Sequence, residues 1–428
     1  MAGLEIGVFP THRIEEGRGP AAWGDGVLRI DLTALGEHLA RDPRLQRVDV
    51  AVAHPGESVR IVHVLDAVEP RIKIAGARSA FPGLCGPIEM AGTGRTHRLD
   101  GVAVLTTVSD FWVHDGLSVK EAIVDMSGPG AAYSPFSRTI NVVLSCQFAA
   151  SASYRERTEA SVQAGLRAAE WLAESARDAT PARVDTIDLV PSALPRVGFV
   201  CFLMTEGDVH RTYVYGENVS GSPTVLHPTE LLDGAVVSGN YHTASNRNVT
   251  YFMQNHPVVR ELITRHGHDL DFAGVIVSKA LAPLPEDKER LAQRTAVLAE
   301  RLGLSGAIIA KDSAGHATVD FMHACRGLER RGIPTVLISE EFAGADGEDL
   351  SLAYYVREAT AMVSTGNRDQ LVSLPAVARV LGGDEILNPD HNDTVVTGKA
   401  ADAFETSLRR ILCATTQTGA GHLTARTV

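Results

Sequence analysis

The sequence predicts an α/β fold: a β-rich N-terminal domain over residues 1–190, then a parallel-sheet, Rossmann-like domain over residues 191–428. Three observations carry this expectation. The first third is made of β-branched runs separated by Gly/Pro turns. The runs 196-RVGFVCFLM-204 and 272-FAGVIVSKA-280 are almost continuously apolar, as strands covered on both faces are. From residue 272 onward strand and helix signatures alternate, which implies a parallel sheet with right-handed crossovers.

Taken in order, 47-RVDVAVA-53, 58-SVRIVHVL-65, 70-PRIKIAG-76, 101-GVAVLTTV-108 and 139-TINVVLSC-146 read as strands. A helix is expected over 154–177, with Val162, Leu166, Ala169 and Ala173 on one face. The stretch 178–195 holds three prolines and reads as a connector. Pro285 starts and Gly303 ends a helix over 286–302. Strand 306-GAIIA-310, a helix over 317–331 and strand 334-PTVLIS-339 complete the alternation. A ligand site is expected beyond the carboxyl ends of such strands, in the loops 311-KDSAGH-316 and 340-EEFAGADGED-349. The segment 413–428 reads as a short polar tail.

Composition narrows the function classes. Hydrophobic residues make up 44% and charged residues 21% of 428, the balance of a soluble globular protein. The formal net charge of -12, with no basic cluster, argues against nucleic-acid and anionic-membrane partners. Five dispersed cysteines argue against a disulfide framework and a CxxC metal site. Without a signal-like N-terminus or a long apolar run, a cytoplasmic location is expected.

No Walker A or GxGxxG motif is present, and none of the 16 histidines belongs to an HExxH motif, so no metal is expected. His210, His227 and His242 remain open to convergence in space. Asp312, Ser313 and His316 lie too close in sequence to read as a triad, and they read as a loop capping the next helix. Cys325 and the methionines read as core. One stretch stands apart, 234-GAVVSGNYHTASNRNVTYFMQNHPVV-259. An apolar strand runs into Asn240, His242, Thr243, Ser245, Asn246 and Asn248, which is either a polar surface loop or a site.

Several long motifs stand in one order: 51-AVAHPGESVRI-61, 66-DAVEPRIKIAG-76, 125-DMSGPGAAYSPFSRTINVV-143, 211-RTYVYG-216, 223-PTVLHPTELLDGAVVSGN-240, 250-TYFMQNHPVV-259, 274-GVIVS-278, 331-RGIPTVLISEEFAGADG-347 and 422-HLTART-427. Together they resemble the component B α/β proprotein of glycine, sarcosine and betaine reductases, of which D-proline reductase has a more distant relative. The resemblance implies a chain that cuts itself before a cysteine, which becomes a pyruvoyl group. It implies a Schiff base between that ketone and an amine substrate, and a partner subunit whose selenocysteine attacks the substrate carbon.

This sequence departs from the pattern where the chemistry sits. The resemblance places one cysteine directly after Ser-Gly-Asn and a second four residues later. Tyr241 and Ser245 stand at those positions, and no cysteine lies between Cys201 and Cys325. A tyrosine has no leaving group on Cβ and makes no pyruvoyl group, whereas Ser245 has its hydroxyl there; Thr243 would give a homologous ketone against more steric resistance. The expectation is therefore an uncleaved subunit of a reductase-like hetero-oligomer with no cofactor, a pyruvoyl group arising only if Ser245 is processed. Its substrate would be a small amine- or carbonyl-bearing molecule, and its partner would carry a selenocysteine or cysteine nucleophile. The candidate catalytic residues are Tyr241, His242 and Ser245. The candidate substrate-binding residues are Asn240, Thr243, His227, Glu230 and Asn255. A non-catalytic scaffold and a Ser245-derived pyruvoyl subunit are the alternatives.

Overall fold

The computed structural model describes residues 3–109, 113–114, 117–118, 121–205, 207, 210–387 and 396–420. It is mixed α/β, with several mixed sheets and one sheet dominated by parallel strands. The motif 422-HLTART-427 lies outside the described residues.

Two four-stranded sheets form most of the N-terminal half. One is ordered Arg183–Ile187, Leu4–Pro10, Gly94–Asp100, Arg71–Ala75. The other is ordered Leu45–Ala53, Ile140–Phe148, Val102–Val108, Val64–Val68. The helix Tyr154–Ala173 packs against them, burying Leu166 and Leu172. Its start is fixed by a capping box in which Ser153 and Glu156 satisfy each other's backbone N–H groups. Two expectations change here. The run 58–65 is broken into Val59–Ile61 and Val64–Val68 by His63, which takes a left-handed φ of 56°. The connector 178–195 contains an edge strand, Arg183–Ile187, paired with Leu4–Pro10.

The largest sheet has six strands, ordered Thr224–Leu226, Asp271–Ala280, Arg196–Met204, Gly306–Lys311, Thr335–Glu341, Met362–Asn367. All its pairings are parallel except that of Thr224–Leu226. Counted from Arg196–Met204, the five parallel strands run 2-1-3-4-5. The apolar runs bury both faces, as expected: Val200, Phe202 and Ile276 meet the helices Pro285–Arg301 and His316–Glu329, while Phe199, Cys201 and Val275 meet the helix Pro257–Arg265. Gly303 and Gly332 end their helices at φ of 69° and 73°, where only glycine is unstrained.

A third core joins the halves of the sequence, packing Ile61, Val64, Leu105 and Val143 against Ala244, Val249, Phe252, Leu412 and Cys413. Residues 413–418 are buried, which corrects the reading of this segment as a polar tail. Among the described residues no helix is long and apolar enough to cross a membrane, and no group of His, Cys, Asp and Glu is placed to hold a metal ion.

Candidate functional site

The polar loop gets its position from the strand before it. Gly234 turns the chain at a φ of 89°, and a Cβ there would lie 1.9 Å from the carbonyl oxygen of Ala80, so the turn requires glycine. The strand Val236–Asn240 then pairs antiparallel with His210–Val214, with Asn240 opposite His210. It delivers Asn240 to the carboxyl edge of the six-stranded sheet. There the Asn240 amide donates to Asp312 Oδ2 at 2.7 Å. Asp312 directly follows Gly306–Lys311, and its N–H donates to Phe202 of the neighbouring strand at 2.7 Å. In a 2-1-3-4-5 sheet the order reverses between these two strands, and crevices for ligands open beyond their carboxyl ends.

The loop is an interior structure, not a surface turn. Of residues 241–249 only His242 and Thr243 are half-buried, and the rest are buried. Arg247, fully buried, holds it by donating to the carbonyl oxygens of Val64 (2.6 Å), Leu65 (2.9 Å), Tyr241 (3.1 Å) and His242 (2.5 Å). The Asn240 side-chain oxygen accepts from the His242 N–H at 3.0 Å. Asn246 donates to Glu340, which also accepts from the Thr415 hydroxyl at 2.8 Å. Asn248 accepts from the Thr416 hydroxyl at 3.0 Å. The Ala244 carbonyl accepts two backbone N–H groups, from Cys413 at 2.9 Å and Arg247 at 3.3 Å. The Ser245 hydroxyl, also buried, has no hydrogen-bond partner among the described residues.

Burial sets the electrostatics. It pushes the Asp312 carboxyl up to about 6, against the hydrogen bond from Asn240. It pushes Asp66 up to about 7, although the Thr250 hydroxyl (2.6 Å) and N–H (2.9 Å) donate to it. It lowers Lys311 to about 8, with Nζ donating to the Ser313 carbonyl at 3.0 Å and Gln417 Oε1 at 2.9 Å. Asp312 and Lys311, at the carboxyl end of the strand Gly306–Lys311, and Asp66, in the strand Val64–Val68 of a four-stranded sheet, therefore change charge near neutrality. Such groups are suited to holding and moving protons.

The predicted residues fall into three places. Asn240, Tyr241, His242, Thr243 and Ser245 share the loop. His242 Nδ1 and the Thr243 hydroxyl lie 3.0 Å apart, and the His242 ring lies 5.1 Å from that of His210. Tyr241 points the other way, into the core with Val237 and Tyr213, at 0% exposure. Burial holds its phenol far above the ordinary range, so it is neutral, and its hydroxyl has no partner among the described residues. The expectation that this phenol acts on a substrate meets that obstacle.

His227 and Glu230 lie elsewhere, at the N-terminal edge of the sheet. They line a cleft of about 450 Å³ with Arg196 and Asp271, the first residues of two parallel strands. Both are engaged in a capping box: the His227 N–H donates to Glu230 at 2.5 Å, and Glu230 also accepts from the Tyr215 hydroxyl at 2.5 Å. His227 accordingly does not join His210 and His242. Asn255 lies in a third place, among Arg71, Arg98 and Arg260. A single site holding all eight residues is not what the fold builds. The residues overlooked in the sequence are Asp66, Arg247, Glu340 and the segment 415–418. The strand-end rule did point to the loops that begin at 311 and 340.

A pyruvoyl group can be tested against this geometry. It needs a heteroatom on Cβ of the residue after the broken bond. Tyr241 has none. Ser245 has one, without a hydrogen-bond partner among the described residues, beside a carbonyl polarised by two N–H donors. Tyr241 does not fit, and Ser245 does.

The family model for glycine/sarcosine/betaine reductase component B subunits matches residues 3–426. The glycine reductase complex component B subunits alpha and beta of Peptoclostridium acidaminophilum are 37% identical, over 99% of both chains. The corresponding protein of Acetoanaerobium sticklandii is 36% identical, over 94% of this chain and 95% of its own. The sarcosine reductase complex component B subunit alpha of Peptoclostridium acidaminophilum is 34% identical, over 94% of both. No solved structure matches.

Proposed function

We propose a role from a firm premise: this chain belongs to the glycine/sarcosine/betaine reductase component B family. In this reading it is a subunit of a heteromeric reductase-like complex that cleaves a C–N or C–X bond of a small amine- or carbonyl-bearing substrate. Its chain stays uncut between Asn240 and Ser245 and carries no pyruvoyl group. The observation that carries the uncut state is Tyr241, whose ring fills the core at the position the resemblance gives to the cleaved cysteine.

His242 and Thr243 are the loop side chains within reach of solvent, and they are assigned to proton transfer with the substrate. Asn240 and Asp312 position them through the His242 N–H. The reducing thiol or selenol is assigned to a partner subunit. Of this chain's five cysteines four are buried, Cys85 is half-buried, and none lies in the loop. The test is assembly with a selenocysteine- or cysteine-bearing partner, followed by turnover of the His242→Ala, Thr243→Val double variant. Loss of a general acid–base pair lowers turnover by a factor on the order of 10²–10⁴ with assembly intact. Unchanged turnover would leave a scaffold role instead.

The Ala244 carbonyl favours a second reading. Attack of the Ser245 hydroxyl on that carbonyl would place negative charge where two N–H groups already point. β-Elimination and hydrolysis of the resulting ester would leave a ketone at residue 245. Fragments meeting at Ser245 distinguish this reading from the first.

A further inference from the structure

Away from the loop, three guanidinium groups converge on one neutral oxygen. Asn255 Oδ1 accepts from Arg260 at 3.1 Å, Arg71 at 3.2 Å and Arg98 at 3.4 Å. The amide orientation is fixed, because its nitrogen donates to the Tyr251 carbonyl at 3.2 Å. A carbonyl oxygen has two lone pairs, fewer than the donors turned toward this one.

The charges are equally unbalanced. Glu69, fully buried, is spent on Arg71 and Arg98, at 2.6 Å each. Asp100 lies 3.2 Å from Arg98. Arg260 has no carboxylate partner among the described residues, and Asn255 is the acceptor it meets. Arg98 is 5% exposed, yet its Nε has no partner among the described residues. Arg260 is exposed to solvent. A buried donor left unpaired and a cation among cations are both unfavourable unless an anion completes the set.

We propose that Arg98 and Arg260, flanking Asn255, form a binding site for a small oxyanion, a carboxylate or a phosphate group. Planar forks of this kind donate to two oxygens of such a group side by side. The site stands apart from the reading of the 241–249 loop and survives its failure.

The test is thermal unfolding of the full chain at matched ionic strength in chloride, acetate and inorganic phosphate. A site of this class gives a dose-dependent rise in Tm, on the order of 2 °C or more near saturation. A response to phosphate alone assigns a phosphoryl ligand, and a response to acetate assigns a carboxylate. The response is expected to vanish in Arg260→Ala, which changes an exposed side chain. It is also expected to vanish in Asn255→Asp, which supplies a fixed carboxylate and leaves Glu69 with its two partners. Equal shifts in chloride, no shift in either oxyanion, or a wild-type response in Arg260→Ala would overturn the proposal.

Discussion

Replacing Arg247 with methionine tests whether the loop is held as described. Methionine keeps most of the volume, so the perturbation is chiefly polar. It removes the donors to the carbonyls of Val64, Leu65, Tyr241 and His242. At about 1 kcal/mol net for each, the loss is about 4 kcal/mol, since these oxygens stay buried without a replacement donor. For a chain of this size that is a fall in Tm on the order of 4 °C. Arg247 also favours the charged forms of Asp66 and Asp312, so both carboxyls should protonate still more readily in the variant. Urea unfolding followed by tryptophan fluorescence measures the stability, and limited proteolysis across residues 241–249 measures the loosening. A stability change below ~1 kcal/mol with unchanged proteolysis would refute the assignment of Arg247 as the anchor.

Other consequences are equally direct. Tyr241→Phe removes a buried hydroxyl that has no partner among the described residues and should leave stability unchanged or raise it by up to ~1 kcal/mol, with turnover unaffected; a large loss in either would restore the phenol to the chemistry. Asn240→Ala and Asp312→Ala should be coupled by about 1.5–3 kcal/mol in a double-mutant cycle, because they share a bond to a carboxylate. Gly234→Ala should destabilise by at least ~1 kcal/mol, since a Cβ would meet the Ala80 carbonyl and the φ is left-handed. Asp66 and Asp312 titrate near 7 and 6 when folded and near 3.8 when unfolded. The folded state therefore holds extra protons between pH 4 and 7, and their contribution to stability, full below pH 4, is lost as the pH rises to 7. Asp66→Asn should flatten that decline, as denaturation midpoints across the range would register.

The parallel sheet was legible because its strands are buried on both faces, and continuous apolar runs such as 196–204 are the direct mark of that. Its helices were legible from Pro285, Gly303 and Gly332, which act locally. Leu4–Pro10 was overlooked although it is an inner strand, for Gly7 interrupts its apolar run and Pro10 closes it. The segment 413–418 misled for the opposite reason. Its threonines and Gln417 are polar, and their burial depends on partners distant in sequence, namely Asn248, Lys311 and Glu340. In the site, the cluster 240–248 was visible as composition, and the strand-end rule pointed to the loops where Asp312 and Glu340 lie. What escaped was the partition of the eight candidates. His227 and Asn255 were tied to the loop by residue type, and only the course of Val236–Asn240 across the sheet separates them from it.

The state of the backbone from Asn240 to Ser245 decides the central claim, and intact-mass spectrometry of the purified chain reads it directly. The account predicts one species at the full-chain mass, with no carbonyl-blocked terminus. Two fragments meeting at Ser245, the second beginning with a pyruvoyl group, would contradict it.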